Sequence, residues 1–208
     1  MSRPSPARRS PAGRWQQAEF ASLDFETTGL DPVRDRIISF GIVPIRNGRV
    51  VVGERIYRQV SLGVDPSPES VKVHGLRATD LRDGHPIEKA AIALHRALDG
   101  RFVVAWAAEV EAAFLARVFG RRARWWRRRI IDARVLAHSV ERDSVDDAQS
   151  YTLSAVAERL GVPVHSPHDA LDDALTTAQV FLVAASVLSS KRPRSARWLL
   201  RAGRRRRA

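Results

Sequence analysis

Apolar residues along this chain change their period partway through. Over residues 19–25, Phe20, Ser22, Asp24 and Glu26 fall on one side of an extended chain, with Ala21, Leu23 and Phe25 on the other, which predicts a strand. Residues 36–45 form a second, largely apolar strand. A third, over 49–60, follows the turn Arg46-Asn47-Gly48, whose Asn-Gly pair is a strong hairpin signal. Helical spacing then appears over 86–98, stopped by Gly100, and over 110–119, stopped by Gly120. A helix over 152–160 closes at Gly161 and Pro163. Short apolar strands over 102–106 and 130–132 are interleaved with these helices. Residues 170–188 carry one stripe of Leu171, Leu175, Ala178, Leu182 and Ala185, a long amphipathic helix. No internal repeat is present. The order predicts an α/β domain with a mixed five-stranded sheet, an antiparallel three-strand meander and then parallel strands, flanked by helices.

Composition narrows the class. At 208 residues, with 44% hydrophobic and 28% charged, the chain can bury a substantial core. The absence of cysteine excludes disulfides and thiolate zinc sites. No uninterrupted apolar stretch approaches the roughly 18 residues that span a bilayer, so no membrane is expected as a partner. The first 14 residues hold four arginines and no acid, and Pro4, Pro6 and Pro11 oppose the amphipathic helix of a transit peptide. A disordered basic N-terminal extension (1–14) and a cytoplasmic location are expected.

The net charge of +12 is unevenly spread. Residues 1–14 and 191–208 hold thirteen of the 35 Lys and Arg and no acid, leaving 22 basic against 23 acidic residues in the 15–190 body. The basic 191–208 segment reads as a mobile tail in which Trp198-Leu199-Leu200 can dock as a short helix. Its Arg204 to Arg207 end suits phosphate, or else simply solvation.

Asp24 and Glu26 stand two apart on a strand, so their carboxylates converge on one side. Crowded acids in a partly desolvated place need cations to neutralise them, and oxygen ligands favour Mg²⁺ or Mn²⁺. Taken alone, the pair reads more simply as solvated strand-end acids feeding a Gly turn. His168 and Asp173 open the last long helix. Five helical residues separate side chains by about 140°, so both face one place only if His168 precedes the helix, with Asp169 as N-cap and Asp172 completing a capping pair. First-turn acids favoured by the helix dipole are the plainer reading. The arginines of 121–129 around Trp125 and Trp126 are either a single-strand-binding surface or a partly buried Trp pair with snorkelling arginines.

Together, LDFETTGL (23–30), VHGLRATDL (73–81), VVAWAAEVEAAFL (103–115), YTLSAVAERLGVP (151–163) and HDALDDA (168–174) resemble the DEDDh exonucleases. That group contains the proofreading epsilon subunit of bacterial DNA polymerase III, ribonuclease T and oligoribonuclease. The resemblance covers roughly residues 18–188 and implies a ribonuclease H-like fold. It implies that Asp24, Glu26, Glu111 and Asp173 bind two divalent metal ions, Mg²⁺ or Mn²⁺. His168, with Glu26 also catalytic, would deprotonate the attacking water. It further implies that Thr27, Thr28, Gly29, Leu30 and His74 line the cleft for the terminal nucleotide. The expected reaction is 3′-to-5′ hydrolysis of single-stranded DNA or RNA ends to nucleoside 5′-monophosphates, DNA favoured, with a DNA polymerase subunit as candidate partner.

The second motif departs from the family. Where members read His-Asn, and an Asp four residues on, this chain has Trp106, Ala107 and Glu111. The added methylene moves a carboxylate by about 1.5 Å, which matters for Mg²⁺. Glu109, two residues away on the helix, faces elsewhere. An RNA-trimming enzyme of the same fold, a binding module with a decayed site and a subunit active only when docked to a polymerase are the rival expectations.

Overall fold

The computed structural model describes residues 14–61, 71, 81, 83–141 and 151–204; the 1–13 extension, His74, Gly75 and residues 205–208 lie outside them. Its centre is β1 (Phe20–Thr27), a strand buried along most of its length. β2 (Ile37–Arg46) pairs with it antiparallel from Phe20↔Ile45 to Glu26↔Ser39, and the register shifts between Glu26 and Thr27, where the strand ends. Asn47 and Gly48 both take positive φ, 52° and 68°, as a tight hairpin with right-handed twist requires.

The predicted third strand arrives as two: β3 (Arg49–Val50) and β4 (Ile56–Gln59), both paired to β2. Pro44 in β2 has no N–H to offer, and the interruption falls opposite it, where Val51 N–H donates to the Pro44 carbonyl at 2.9 Å. The intervening 3₁₀ turn Val52–Glu54 sends the Glu54 carboxylate back onto Arg46 through two 2.6 Å hydrogen bonds. The sheet therefore has six strands among the described residues. β5 (Phe102–Ala105) runs parallel to β1, and β6 (Ile130–Asp132) parallel to β5. The order is β3-β2-β1-β5-β6, with β4 beside β2.

The alternation along β1 sorts the two layers. Ala21, Leu23 and Phe25 join a core with α1 (Ile87–Leu98) and α2 (Glu109–Phe119). On the opposite face Phe20 packs with α4 (Ala133–His138) and the long α6 (Ala170–Ser189), its ring 5.0 Å from that of Phe181. α5 (Leu153–Arg159), capped by Thr152, packs outside α6. By length and composition α6 could cross a membrane, but its Ala178, Phe181 and Ala185 are buried against the sheet.

Two basic segments resolve into packing. Trp126 is buried with its ring 4.5 Å from Phe119, and Trp125, its neighbour in α3 (Arg124–Arg127), lies beneath the Arg129 guanidinium at 4.2 Å. The 191–204 stretch docks through α7 (Ala196–Ala202), burying Ala196 and Leu199, while Trp15 N–H donates to the Arg194 carbonyl at 2.7 Å. The expected Trp198-Leu199-Leu200 helix is thus part of the body.

Candidate active site

Asp24 and Glu26 leave β1 on the face covered by α6. Asp24 stands opposite Gly41 in β2, and a Cβ on Gly41 would lie 2.1 Å from the carbonyl oxygen of Ala170. Only a residue without a side chain lets the first turn of α6 approach so closely, and this contact brings that turn over Asp24.

The start of α6 is built by three aspartates with separate tasks. Asp169 is the N-cap, its Oδ1 accepting from the N–H groups of Leu171 and Asp172 at 2.9 and 3.1 Å. Asp172 accepts from Ser166 N–H at 3.2 Å, so it ties down the preceding loop and does not close a reciprocal capping box. Asp173 accepts from His168 N–H at 3.0 Å. His168 sits just ahead of the helix in the left-handed region, φ 63°, with its side chain exposed. Single carboxylate oxygens of Asp24, Glu26 and Asp173 all lie within 4.8 Å of one another, a spacing able to hold a metal ion.

This crowding is electrostatically costly. Burial, followed by the charges of Glu111, Asp173, Glu26 and Asp169, holds the Asp24 carboxyl well above the usual carboxylate range. Burial and then Asp173 and Asp169 push Glu26 up to about 8. Asp173 is raised by burial, with part of that offset by the His168 N–H bond and the nearby imidazole. Glu111, on α2, is buried and pushed up to about 8 by desolvation and by Asp132. It belongs to the same field, since its charge is the largest of those acting on Asp24. Its carboxylate falls outside the three-residue cluster, and its Oε2 is buried without a hydrogen-bond partner. An orphaned buried carboxylate oxygen beside three converging ones fits a hard divalent cation.

The loop after β1 carries the remaining expected residues. Thr27 Oγ1 donates to the Gly29 carbonyl at 2.7 Å, and Thr28 Oγ1 donates to Asp35 Oδ1 at 2.9 Å, so both hydroxyls already have internal partners. Leu30 projects outward, 77% exposed. His74 lies outside the described residues, and Glu109 lines a separate groove with Asp132, Arg134 and Arg204.

Two organising acids escaped sequence reasoning. Asp35 accepts from Asp31 N–H at 2.8 Å as well as from Thr28, and a Cβ on Gly29 would meet it at 2.5 Å. Arg117 on α2 fastens the same loop by donating to the carbonyls of Pro32 and Val33 at 2.7 and 2.6 Å. Asp132, ending β6, accepts from Arg134 and Val135 N–H at 2.9 and 3.3 Å, and its other oxygen accepts from Ala108 N–H at 3.2 Å. It thereby caps α4 and anchors the turn leading to Glu111. An acid immediately before an apolar helical run was the available signal for that cap.

A mixed sheet with carboxylates converging at the end of its central strand is the ribonuclease H-like fold of DEDDh-type exonucleases. Escherichia coli exonuclease I in complex with a dA16 oligonucleotide superposes with a TM-score of 0.67 at 17% identity, over 78% of this chain and 40% of that one. Exonuclease X in complex with 5′ overhanging duplex DNA gives 0.66 at 20% identity, over 88% and 99%. The RNase_T family, described as Exonuclease, matches residues 22–181, and the chain belongs to this family. A PolC-type DNA polymerase III from Thermotoga petrophila is 35% identical over 172 residues, covering 81% of this chain and 12% of that protein. A DNA polymerase III subunit epsilon-like protein from Rhodobacter capsulatus is 30% identical over 175 residues, covering 83% and 24%. The chain thus spans a quarter or less of the length of these relatives.

Proposed function

We propose that this chain is a divalent-metal-dependent 3′-to-5′ exonuclease that hydrolyses single-stranded nucleic acid to nucleoside 5′-monophosphates, with DNA favoured, in proofreading or repair. The observation that carries the reading is the convergence of Asp24, Glu26 and Asp173 within 4.8 Å, on a fold and in a family of exonucleases. Asp24, Glu26, Asp173 and Glu111 would hold two Mg²⁺ or Mn²⁺ ions. When bound, such a pair supplies an activated water and stabilises the departing oxygen of the scissile phosphate. His168 takes the proton from the attacking water, a general-base task that an imidazole nitrogen can perform. Its backbone is pinned to Asp173, so the histidine and the carboxylate keep a fixed relation. Leu30, at the tip of a loop braced by Asp35 and Arg117, offers an apolar surface to the terminal base. Thr27, Thr28 and Gly29 shape that loop, and His74, outside the described residues, stays a cleft candidate by the family resemblance alone.

DNA is favoured because the relatives are named as DNA polymerase III proteins, which also makes a polymerase subunit the partner to test and the cytoplasm the expected location. The deciding experiment follows mononucleotide release from end-labelled single-stranded DNA and RNA with matched ends, in Mg²⁺, Mn²⁺ and EDTA. Metal-dependent release, faster on DNA and lost in purified Asp24→Ala and Asp173→Ala, is expected. Release that persists in either variant overturns the scheme, and a preference for RNA would identify a trimming exoribonuclease.

A further inference from the structure

Two arginine-rich segments far apart in sequence meet along β6, the outermost strand of the sheet on that side, outside the carboxylate cluster. α3 leads into β6 and leaves Arg124 and Arg128 exposed. α7 returns against β6 and exposes Arg197, Arg201 and Arg204. Gly203 sets this approach, since a Cβ there would lie 2.9 Å from Ile131 Cγ2 and 3.2 Å from Asp132 N. Arg204 consequently shares one groove with Asp132 and exposed Arg134. The like charges act on one another: Arg128 helps to lower the Arg204 guanidinium, after burial, and Arg197 acts similarly on Arg129. Asp99 beside Arg129, Glu109 in the groove and buried Asp132 offset part of the excess.

The aromatic residues here are already covered. Arg129 stacks on Trp125 and Arg194 on Trp198, each at 4.2 Å, and Trp126 is buried. Stacked bases are therefore not what this surface accommodates, whereas phosphates are. Its position is equally specific. Ser22, Val104 and Ile131 stand in one register row across β1, β5 and β6, with Asp24 two residues and Asp132 one residue beyond it. Two strand spacings make about 10 Å.

We propose that the surface formed by Arg128, Arg134, Arg197 and Arg204 is a second nucleic-acid contact, holding the phosphate backbone a few nucleotides upstream of a 3′ end placed at the carboxylates. It rests on the exonuclease reading for that polarity, but backbone binding itself does not need hydrolysis. Contacts of this kind are independent of sequence and weaken with salt.

The test uses the full chain carrying Arg128→Ala, Arg197→Ala and Arg204→Ala together, beside the triple Lys variant. Anisotropy of a labelled 20-nucleotide single strand is measured in EDTA across about 50–200 mM salt. The Ala triple should bind at least about tenfold more weakly at the low-salt end, with the slope of log affinity on log salt flatter by roughly 2 for three lost contacts. The Lys triple should keep the wild-type slope. In Mg²⁺, the Ala triple should raise KM on the 20-mer while hydrolysis of a trinucleotide is unchanged. An unchanged slope in the Ala triple, or equal loss on the trinucleotide, overturns the proposal. Polyglutamate competing as strongly as the oligonucleotide also overturns it, by pointing to an acidic protein partner. If wild-type protein hydrolyses nothing while the EDTA binding arm behaves as expected, the exonuclease reading fails and this surface stands.

Discussion

Ala107 is a strained residue at a functionally sensitive turn. It takes φ 54° without being glycine, two residues before α2 begins, and Ala108 beside it is held by Asp132. A left-handed alanine costs roughly 1–2 kcal/mol, which glycine avoids at some cost in chain entropy. Ala107→Gly should therefore raise stability by about 0.5–1 kcal/mol, a melting shift of roughly 1–4 °C. Calorimetry of the single variant measures this, and a lower melting temperature would contradict the strain. The carboxylates make a second demand on stability. Glu26 and Glu111 titrate at about 8 in the folded chain against an ordinary 4.5, so the metal-free fold binds more protons than the unfolded chain between those values. Their contribution is fully present below about 4.5 and is lost as pH rises towards 8. Metal-free protein should accordingly melt lower at pH 8 than at pH 5.5, and Mg²⁺ should reverse the trend by binding the ionised acids. Glu111→Gln should flatten that pH dependence in EDTA while lowering metal-dependent turnover by about 100-fold or more. A pH dependence in Glu111→Gln as steep as that of the wild type would remove Glu111 as one of its sources.

At the level of whole elements, the site is an encounter between the end of β1 and the start of α6, and Gly41 regulates how near they come. Because a methyl carbon on Gly41 would stand only 2.1 Å from the Ala170 carbonyl oxygen, Gly41→Ala must push the helix away and carry Asp173 and His168 with it. We expect a folded protein with Mg²⁺ affinity weakened at least about tenfold by calorimetric titration; wild-type affinity in that variant would mean that the helix can shift without disturbing the cluster. The alternation along β1 and the Asp169 cap were both readable from sequence, because each depends on neighbours within a few residues. The division of the third strand was not, since it depends on Pro44 across the hairpin and on Glu54 folding back to Arg46. Nor was the reach of Asp132 to Ala108, 24 residues upstream, which only the parallel pairing of β5 and β6 brings about. For the same reason the function of Gly41 was hidden: a glycine in an apolar strand signals close approach, but not by what.

Across the molecule, the basic segments that looked like appendages prove to be partly structural, and this changes what their removal should do. Leu199 and Ala196 are fully buried with Trp15, Phe20 and Phe181, and the Arg194 carbonyl receives the Trp15 N–H. α7 therefore closes the face on which β1 and α6 meet, away from the end of α6 that carries Asp173. Exposing Leu199 and its partly buried neighbours Trp198 and Leu200 forfeits on the order of 3–5 kcal/mol of apolar burial. For a domain of this size that corresponds to a fall of roughly 10 °C in melting temperature. A chain ending at residue 190 should show that loss, whereas one ending at Arg204, which retains α7, should melt like the full chain. The comparison separates packing from charge, because the chain ending at Arg204 lacks the arginines of 205–207 but keeps Ala196 and Leu199 of α7. Equal melting temperatures for all three proteins would mean that α7 only rests on the surface. If the shorter chain alone is destabilised, the C-terminal arginines of α7 owe their fixed position beside β6 to the same burial that stabilises the domain.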